Sequence, residues 1–406
     1  MTISQKIHSI LRSRWFLPSV ALFAFVVRLT LILLTNKYGN TVFADELDYL
    51  KIGISLAHGE GFAKDGIHYT AYRPPAQPFV IAGLFRVLGE HHLYLKVFEA
   101  LILIVVPFVC FRLGRLLGLS VETANVGAAL AALHPALAYA SSTLYPTVLT
   151  AVALTVGVWL CTVAVESNGV PASIGAGIAL GLAGSATTTF APLAAISAVA
   201  MLMRRSYRAA IITGVLGTLP MVLWMARNDQ VLGRFTVATN GGYNLYLGAN
   251  DDATPMSGNW VEPNLFDESR IGEVQLDDDY KNAGVMWIKK HPVRWGELAA
   301  ERAVVVFDSV GNPRTQGLHS GLLGHLMGWI MLPVVVFGVI GLFVSYRNPA
   351  AWFTAAALML VIASSAATIA KPRFRFPCDP LLAMFAVAGF LFIKKKASSE
   401  REDALL

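Results

Sequence analysis

Asp45, Glu46 and Asp48 crowd into Ala44-Asp45-Glu46-Leu47-Asp48-Tyr49, directly after the first long apolar run of the chain. Carboxylates beside a bilayer are unfavourable unless they are paired or used. Further on come Gly59-Glu60-Gly61-Phe62 and Arg73-Pro74-Pro75, and near the far end Lys371-Pro372-Arg373-Phe374-Arg375-Phe376-Pro377. These residue types suit one chemistry. A carboxylate can take the proton of an attacking hydroxyl, while guanidinium forks match phosphate oxygens, so Arg73, Lys371, Arg373 and Arg375 could offset the charge of a departing phosphate. A phosphate held in this way leaves readily and needs no separate protein acid.

A helix beginning near Asp45 lines Asp45, Tyr49, Ile52 and Leu56 along one face and Leu47, Leu50 and Ile54 along the other, so both faces call for burial. Asp45 then stands at the helix mouth, ahead of Glu46 and Asp48 as the candidate base. The same position suits an N-cap that accepts a backbone N–H. The two roles are compatible, because a tethered aspartate still accepts a proton. Lys371, Arg373 and Arg375 could equally anchor lipid head groups, yet positive charge on an outer face runs against the positive-inside rule.

Composition says what must position these groups. Of 406 residues, 55% are hydrophobic and 14% charged, and the mean hydropathy is +0.57, which marks a polytopic membrane protein. The net charge of +6 lies largely in Lys6, Arg12, Arg14, Arg204, Arg205, Arg208, Lys394, Lys395 and Lys396, which border apolar runs. That pattern sets topology and does not imply nucleic-acid binding. Cys110, Cys161 and Cys378 are too scattered for a disulfide framework or a metal site. The first apolar run is interrupted by Arg28 and lacks a small-residue cleavage site, so it reads as an anchor rather than a cleaved signal.

Spans are expected near 15–35, 96–117, 121–141, 147–166, 209–226, 321–345, 350–370 and 376–393, with 172–203 forming two short helices broken at Thr187-Thr188-Thr189-Phe190-Ala191-Pro192. The total is about ten. Both termini then share the face that carries the basic clusters, which the rule makes cytoplasmic. Residues 76–89, following Pro74-Pro75, are too short to span and read as a membrane-dipping or juxtamembrane helix. The chain divides into 1–35 (tail and first span), 36–95 (first outer loop), 96–226 (transmembrane bundle), 227–320 (second outer loop region), 321–393 (C-terminal spans) and 394–406 (cytoplasmic tail). The expected fold is an all-α polytopic membrane protein with a small mixed outer domain built from the two outer loops.

Other charged groups have plainer readings. Arg28 snorkels or pairs with Glu99. Asp251-Asp252 and Asp277-Asp278-Asp279 lack alternating ligand spacing and read as solvated edges, so a divalent metal is not favoured and no cofactor is expected. His91-His92 and His134-Pro135 have no partner at metal spacing.

The order of the early Asp-Glu, the Gly-Glu-Gly-Phe turn, Arg73-Pro74-Pro75, Ala226-Arg227-Asn228, Asn240-Gly241-Gly242-Tyr243-Asn244 and the late Arg373-Phe374-Arg375-Phe376-Pro377 resembles the GT-C superfamily. It is similar, more narrowly, to bacterial relatives of the dolichyl-phosphate-mannose protein mannosyltransferases and the lipid A aminoarabinose transferases. The resemblance covers nearly the whole chain. It implies a GT-C-like fold and an inverting glycosyltransferase that takes a sugar from a polyprenyl-phosphate donor at the outer, periplasmic face of the inner membrane. Asp45 matches the position of the family's proposed base and Glu46 its acidic neighbour. Arg73, with Arg373 and Arg375, matches basic positions near donor phosphate, and Lys371 joins them. Arg227, Asn228, Asn240, Tyr243 and Asn244, with Tyr49 and Tyr72, belong to the region that shapes the cavity. The acceptor could be a lipid, a glycan or a protein, and membrane lipids are the surroundings. Two departures stand out: a large soluble C-terminal domain is lacking, and Thr188-Thr189-Phe190 stands where relatives often carry a basic residue before proline. A transporter or flippase for a polyprenyl-linked sugar is the alternative, although no internal repeat accompanies the break at 172–203.

Overall fold

The computed structural model describes residues 2–35, 44–256, 272–308 and 322–403. The parts of the two expected outer loops at 36–43, 257–271 and 309–321 lie outside the described residues. A short amphipathic helix α1 (Ile3–Arg12) opens on a capping box in which Thr2 and Gln5 satisfy each other's backbone N–H. The apolar helix α2 (Phe16–Thr35) follows, then the pair α3 (Ala44–His58) and α4 (Ala76–Leu88). Next come α5 (His92–Ile102), α6 (Val105–Leu116), α7 (Val121–Ala132), α8 (Pro135–Ala140), α9 (Thr147–Ser167), α10 (Val170–Ala186), α11 (Leu193–Met203) and α12 (Tyr207–Leu232). The second polar region carries α13 (Gly241–Leu247), α14 (Glu273–Lys290) and α15 (Pro292–Val305), and α16 (Leu322–Val344), α17 (Pro349–Ala367) and α18 (Asp379–Asp403) complete the bundle.

Among the described residues, seven stretches are long and apolar enough to cross a membrane: Phe16–Leu34, His92–Leu116, Thr147–Ser167, Tyr207–Leu232, Met327–Val344, Pro349–Ala367 and Pro372–Ser398. The protein is a multi-pass, all-α membrane protein. The remaining expected spans are shorter. Residues 172–203 form α10 and α11 around a 3-10 turn at Thr188–Phe190, as the threonine-proline break predicts. The stretch 121–141 divides instead into α7 and α8, because Pro135 has no N–H to continue the ladder and starts a new helix. His134 caps that helix, its Nδ1 accepting from Leu137 N at 3.3 Å.

The same break explains Arg28. With α7 ended, the Ala132 carbonyl loses its intrahelical donor, and the buried Arg28 guanidinium donates to it. Of the two expectations for Arg28, snorkelling or pairing with Glu99, neither is met: the group is buried and bonded to a carbonyl. Glu99 instead accepts from Gln77 Nε2 at 2.8 Å.

Residues 76–89 form α4, which packs on α3 rather than joining the long spans. Ile52 enters a cluster with Phe62, Met221 and Trp224, while Tyr49 and Leu50 enter another with Ile81, Phe85, Leu95 and Leu144. Both faces of α3 are thus used, as its pattern requires, with Leu47 the exposed exception. The crossing is close: a Cβ on Gly53 would stand 2.5 Å from Ile81 Cγ2. Gly53→Ala is expected to destabilise this pair by about 1–3 kcal/mol, read as a lower thermal midpoint in lipid or detergent. An unchanged midpoint would show that α3 and α4 separate at no cost.

Among the described residues the β pairing is one isolated antiparallel bridge, Ala63 to Tyr69. Where the expected mixed outer domain is described, it is helical, built from α3, α4, α13, α14 and α15.

Candidate active site

Helix α3 already begins at Ala44, so Asp45 sits in its first turn and does not precede it as an N-cap. Side chains hold the carboxylate instead. Its Oδ1 accepts from Arg73 Nη2 at 2.6 Å and its Oδ2 from the Tyr145 hydroxyl. Asp48 lies three residues on and therefore on the same helix face. It accepts from Arg73 Nε at 2.9 Å and Nη2 at 2.8 Å, and Lys64 Nζ approaches its other oxygen at 3.1 Å. Arg73 is thus bridged by two carboxylates and stacked near Tyr72 and Tyr49. Its contacts orient Asp45 and offset its charge, which departs from the expected donor-phosphate role.

Cations also gather on the Tyr145 side. The Arg373 guanidinium lies 4.9 Å from the centre of the Tyr145 ring, and Lys371 is close by in sequence and in the same cavity. Burial pushes the Asp45 carboxyl up, but Arg73, the Tyr145 hydroxyl and Arg373 outweigh it and hold the group below its ordinary 3.8. Burial also pushes Lys371 down, Arg373 adds to the effect and Asp45 opposes it, leaving the ammonium at about 8.

A cavity of about 350 Å³ joins these groups. Asp45, Tyr49, Tyr72, Arg73, Asn240, Tyr243, Asn244, Lys371 and Arg373 all line it, although they come from α3, the loop before α4, α13 with the residue that precedes it, and the turn before α18. The positioning is local and specific. Glu273 at the start of α14 accepts from Thr70 Oγ1 at 2.5 Å and Ala71 N at 2.8 Å and also from the Thr239 hydroxyl, tying the Arg73 loop to the segment that enters α13. Asp277 accepts from Gly242 N at 2.6 Å, and the Tyr243 ring meets Tyr280 edge-on at 5.3 Å. The acidic run at 277–279 thus works partly as a scaffold. Asp278 pairs with Arg234, and Asp251 accepts from Trp287 Nε1 at 2.7 Å. Among the described residues no group of three or more His, Cys, Asp or Glu side chains is placed to hold a metal.

Four residues singled out by the sequence lie outside the cavity lining. Glu46 is buried in the electrostatic neighbourhood of Lys96, Glu99 and Tyr139. Consecutive helical residues are about 100° apart, so Glu46 turns into the bundle when Asp45 faces the cavity. Arg375 is also buried, with Nε donating to Asp379 Oδ1 at 2.7 Å and Nη1 to the Val306 carbonyl at 2.6 Å. Asp379 in turn meets His134 Nε2 at 3.1 Å. Arg375 therefore braces the bundle where a phosphate contact was expected. Arg227 and Asn228 lie at the back of the Arg73 loop, with Arg227 Nη1 donating to the Thr70 carbonyl at 2.8 Å and Asn228 Nδ2 to the Thr236 carbonyl at 2.8 Å.

The structure also brings to the site residues to which the sequence assigned no site role. Tyr145 follows Ser141-Ser142-Thr143-Leu144 and precedes Pro146, a polar interruption between apolar runs that could have flagged it. Thr187, Thr188 and Thr189 line the cavity at the α10 break, so their hydroxyls face the site. Glu273 carried no sequence signal.

No protein-family model and no curated protein matches the chain. Among solved structures, its fold is similar to the crystal structure of the Archaeoglobus fulgidus oligosaccharyltransferase in the apo form, with a TM-score of 0.45 and 13% identity. The match covers 97% of this chain and 52% of that one, so the chain spans about half the length of that protein.

Proposed function

We propose that this protein is a membrane glycosyltransferase that moves a sugar, with inversion, from a polyprenyl-phosphate donor to a hydroxyl acceptor at the outer face of the inner membrane. The observation that carries the reading is a single cavity holding an ionised aspartate, Asp45, together with Lys371 and Arg373. The acceptor oxygen bonds to the anomeric carbon as the anomeric carbon–oxygen bond to phosphate breaks. The hydroxyl proton passes to Asp45, and the electron pair leaves with the polyprenyl phosphate. Lys371 and Arg373 offset the charge that grows on that phosphate.

A carboxylate below its ordinary pKa is a weak base, and donor binding corrects this. Phosphate charge beside Arg373 screens one of the cations that depress Asp45, so the carboxyl rises toward its ordinary value once the donor is seated. Basicity is gained in the complex that needs it. In the free enzyme, Asp45 stays ionised down to below 3.8, so activity at low donor concentration is expected to show no acid limb between pH 5 and 7. An alkaline limb is expected near pH 8, where Lys371 loses its proton. Lys371→Arg keeps the charge and should move that limb upward; a limb that stays in place assigns it to another group.

The deciding experiment incubates the purified protein in lipid with a panel of polyprenyl-phosphate sugars and with lipid, glycan and peptide acceptors, with and without chelator. Transfer that survives chelation is expected. Loss with chelator and recovery with manganese or magnesium would refute a metal-independent reaction, and transbilayer movement of the donor without any transfer would favour a flippase.

A further inference from the structure

A second cavity, of about 600 Å³, lies behind the Arg73-Pro74-Pro75 turn. Its walls are apolar, formed by Phe62, Phe79, Pro220, Leu223 and Trp224 among others. Pro220, Leu223 and Trp224 belong to a helix long and apolar enough to cross a membrane, and Leu223 and Phe79 are exposed, so the groove opens to the outside of the bundle. It adjoins the catalytic cavity along two chain segments. Pro75, Ala76 and Ser185 line the groove, while their neighbours Pro74 and Ala186 line the cavity.

One cation stands at the polar end of this groove. Arg227 lies 4.9 Å from the Trp224 ring, 5.4 Å from Tyr69 and 5.5 Å from Phe62. Its hydrogen bonds among the described residues go to neutral oxygens: the Thr70 and Phe62 carbonyls and Asn228 Oδ1. Glu273, the acidic group whose field reaches it, is engaged by Thr70, Ala71 and Thr239. An apolar trough on a membrane helix that ends in a caged guanidinium matches a hydrocarbon chain with an anionic head.

We propose that the groove seats the chain of a lipid acceptor bearing an anionic group, with Arg227 on that group and the acceptor hydroxyl delivered past Pro74 to Asp45. This rests on the transferase reading and names its acceptor class. The donor's chain is a poorer occupant. In an inverting displacement the nucleophile and the leaving group lie on opposite faces of the sugar. Lys371 and Arg373 take the phosphate on the Tyr145 side of Asp45, whereas the groove lies behind Arg73, which binds the other carboxylate oxygen.

The test places the purified full chain in phosphatidylcholine nanodiscs with a trace of a long-chain alkyl phosphate that carries a mid-chain diazirine. Photolabelling is expected to concentrate on peptides containing Phe79 and Leu223-Trp224, to fall about tenfold in Arg227→Gln, and to persist in the Lys371→Ala, Arg373→Ala double variant. A neutral alkyl alcohol probe should label Arg227→Gln as it labels wild type, which separates a lost anion contact from a collapsed groove. Labelling spread evenly over the lipid-facing helices, or equal alkyl phosphate labelling in wild type and Arg227→Gln, overturns the proposal. So does loss of labelling in the double variant, which would make the groove a donor site. If Asp45→Asn still transfers sugar while groove labelling is intact, the transferase mechanism fails and the lipid site stands.

Discussion

Asp45→Asn is expected to lower the rate of sugar transfer by roughly 10²–10⁴-fold, the range for losing a positioned general base, while leaving insertion and thermal stability near wild type. The amide keeps the shape and the Oδ1 acceptor but cannot take a proton. Arg73 keeps both of its bonds to Asp48, at 2.9 Å and 2.8 Å, so the loop carrying it stays docked. Donor binding should hold or tighten, because a negative charge is removed near Lys371 and Arg373. Rates should be measured at saturating donor and acceptor, with donor affinity measured separately. Transfer within about threefold of wild type would remove Asp45 from the chemistry. Asp48→Asn is a control of a different kind: it loosens Arg73 without touching the proton acceptor, and its effect should be far smaller.

Arg375→Met is expected to fail in another way, by loss of folded protein. Its partner Asp379 is fully buried and shares its carboxylate with His134. Removing the guanidinium leaves that carboxylate with one partner and strips the Val306 carbonyl of its donor. Breaking a buried pair from one side costs about 3–5 kcal/mol, a large share of the marginal stability of a fold. The measurement is the thermal midpoint of monodisperse protein together with the donor KM of whatever fraction survives. A stable variant with an intact midpoint and a raised donor KM would restore Arg375 to the phosphate site.

The contrast between Arg373 and Arg375 shows what the sequence could not reveal. Arg373 and Arg375, two residues apart in Arg373-Phe374-Arg375-Phe376, are both expected at the donor phosphate. The segment runs through two successive 3-10 turns. At three residues per turn, positions two apart diverge by about 240°, which sends Arg373 into the cavity and Arg375 into the bundle. Asp45 and Glu46 diverge for a similar reason, and there the helix spacing was readable in advance. The Asp45–Asp48 face was readable too, but the shared guanidinium was not, because Arg73 reaches it across a loop.

Composition and apolar run length determined the membrane class, most of the helices and the short pair at 172–203, since burial in hydrocarbon leaves a signal that local reading detects. Charge beside the bilayer was enough to nominate Asp45, Arg73, Lys371 and Arg373. Only the tertiary structure decided how these charges are shared: Tyr145 on one oxygen of Asp45, Arg73 on the other, and Glu273 clamping the loop from more than two hundred residues away. Pairing across such distances depends on which side chains the packed bundle brings within about 3 Å of one another, and no local pattern in a single chain encodes that distance.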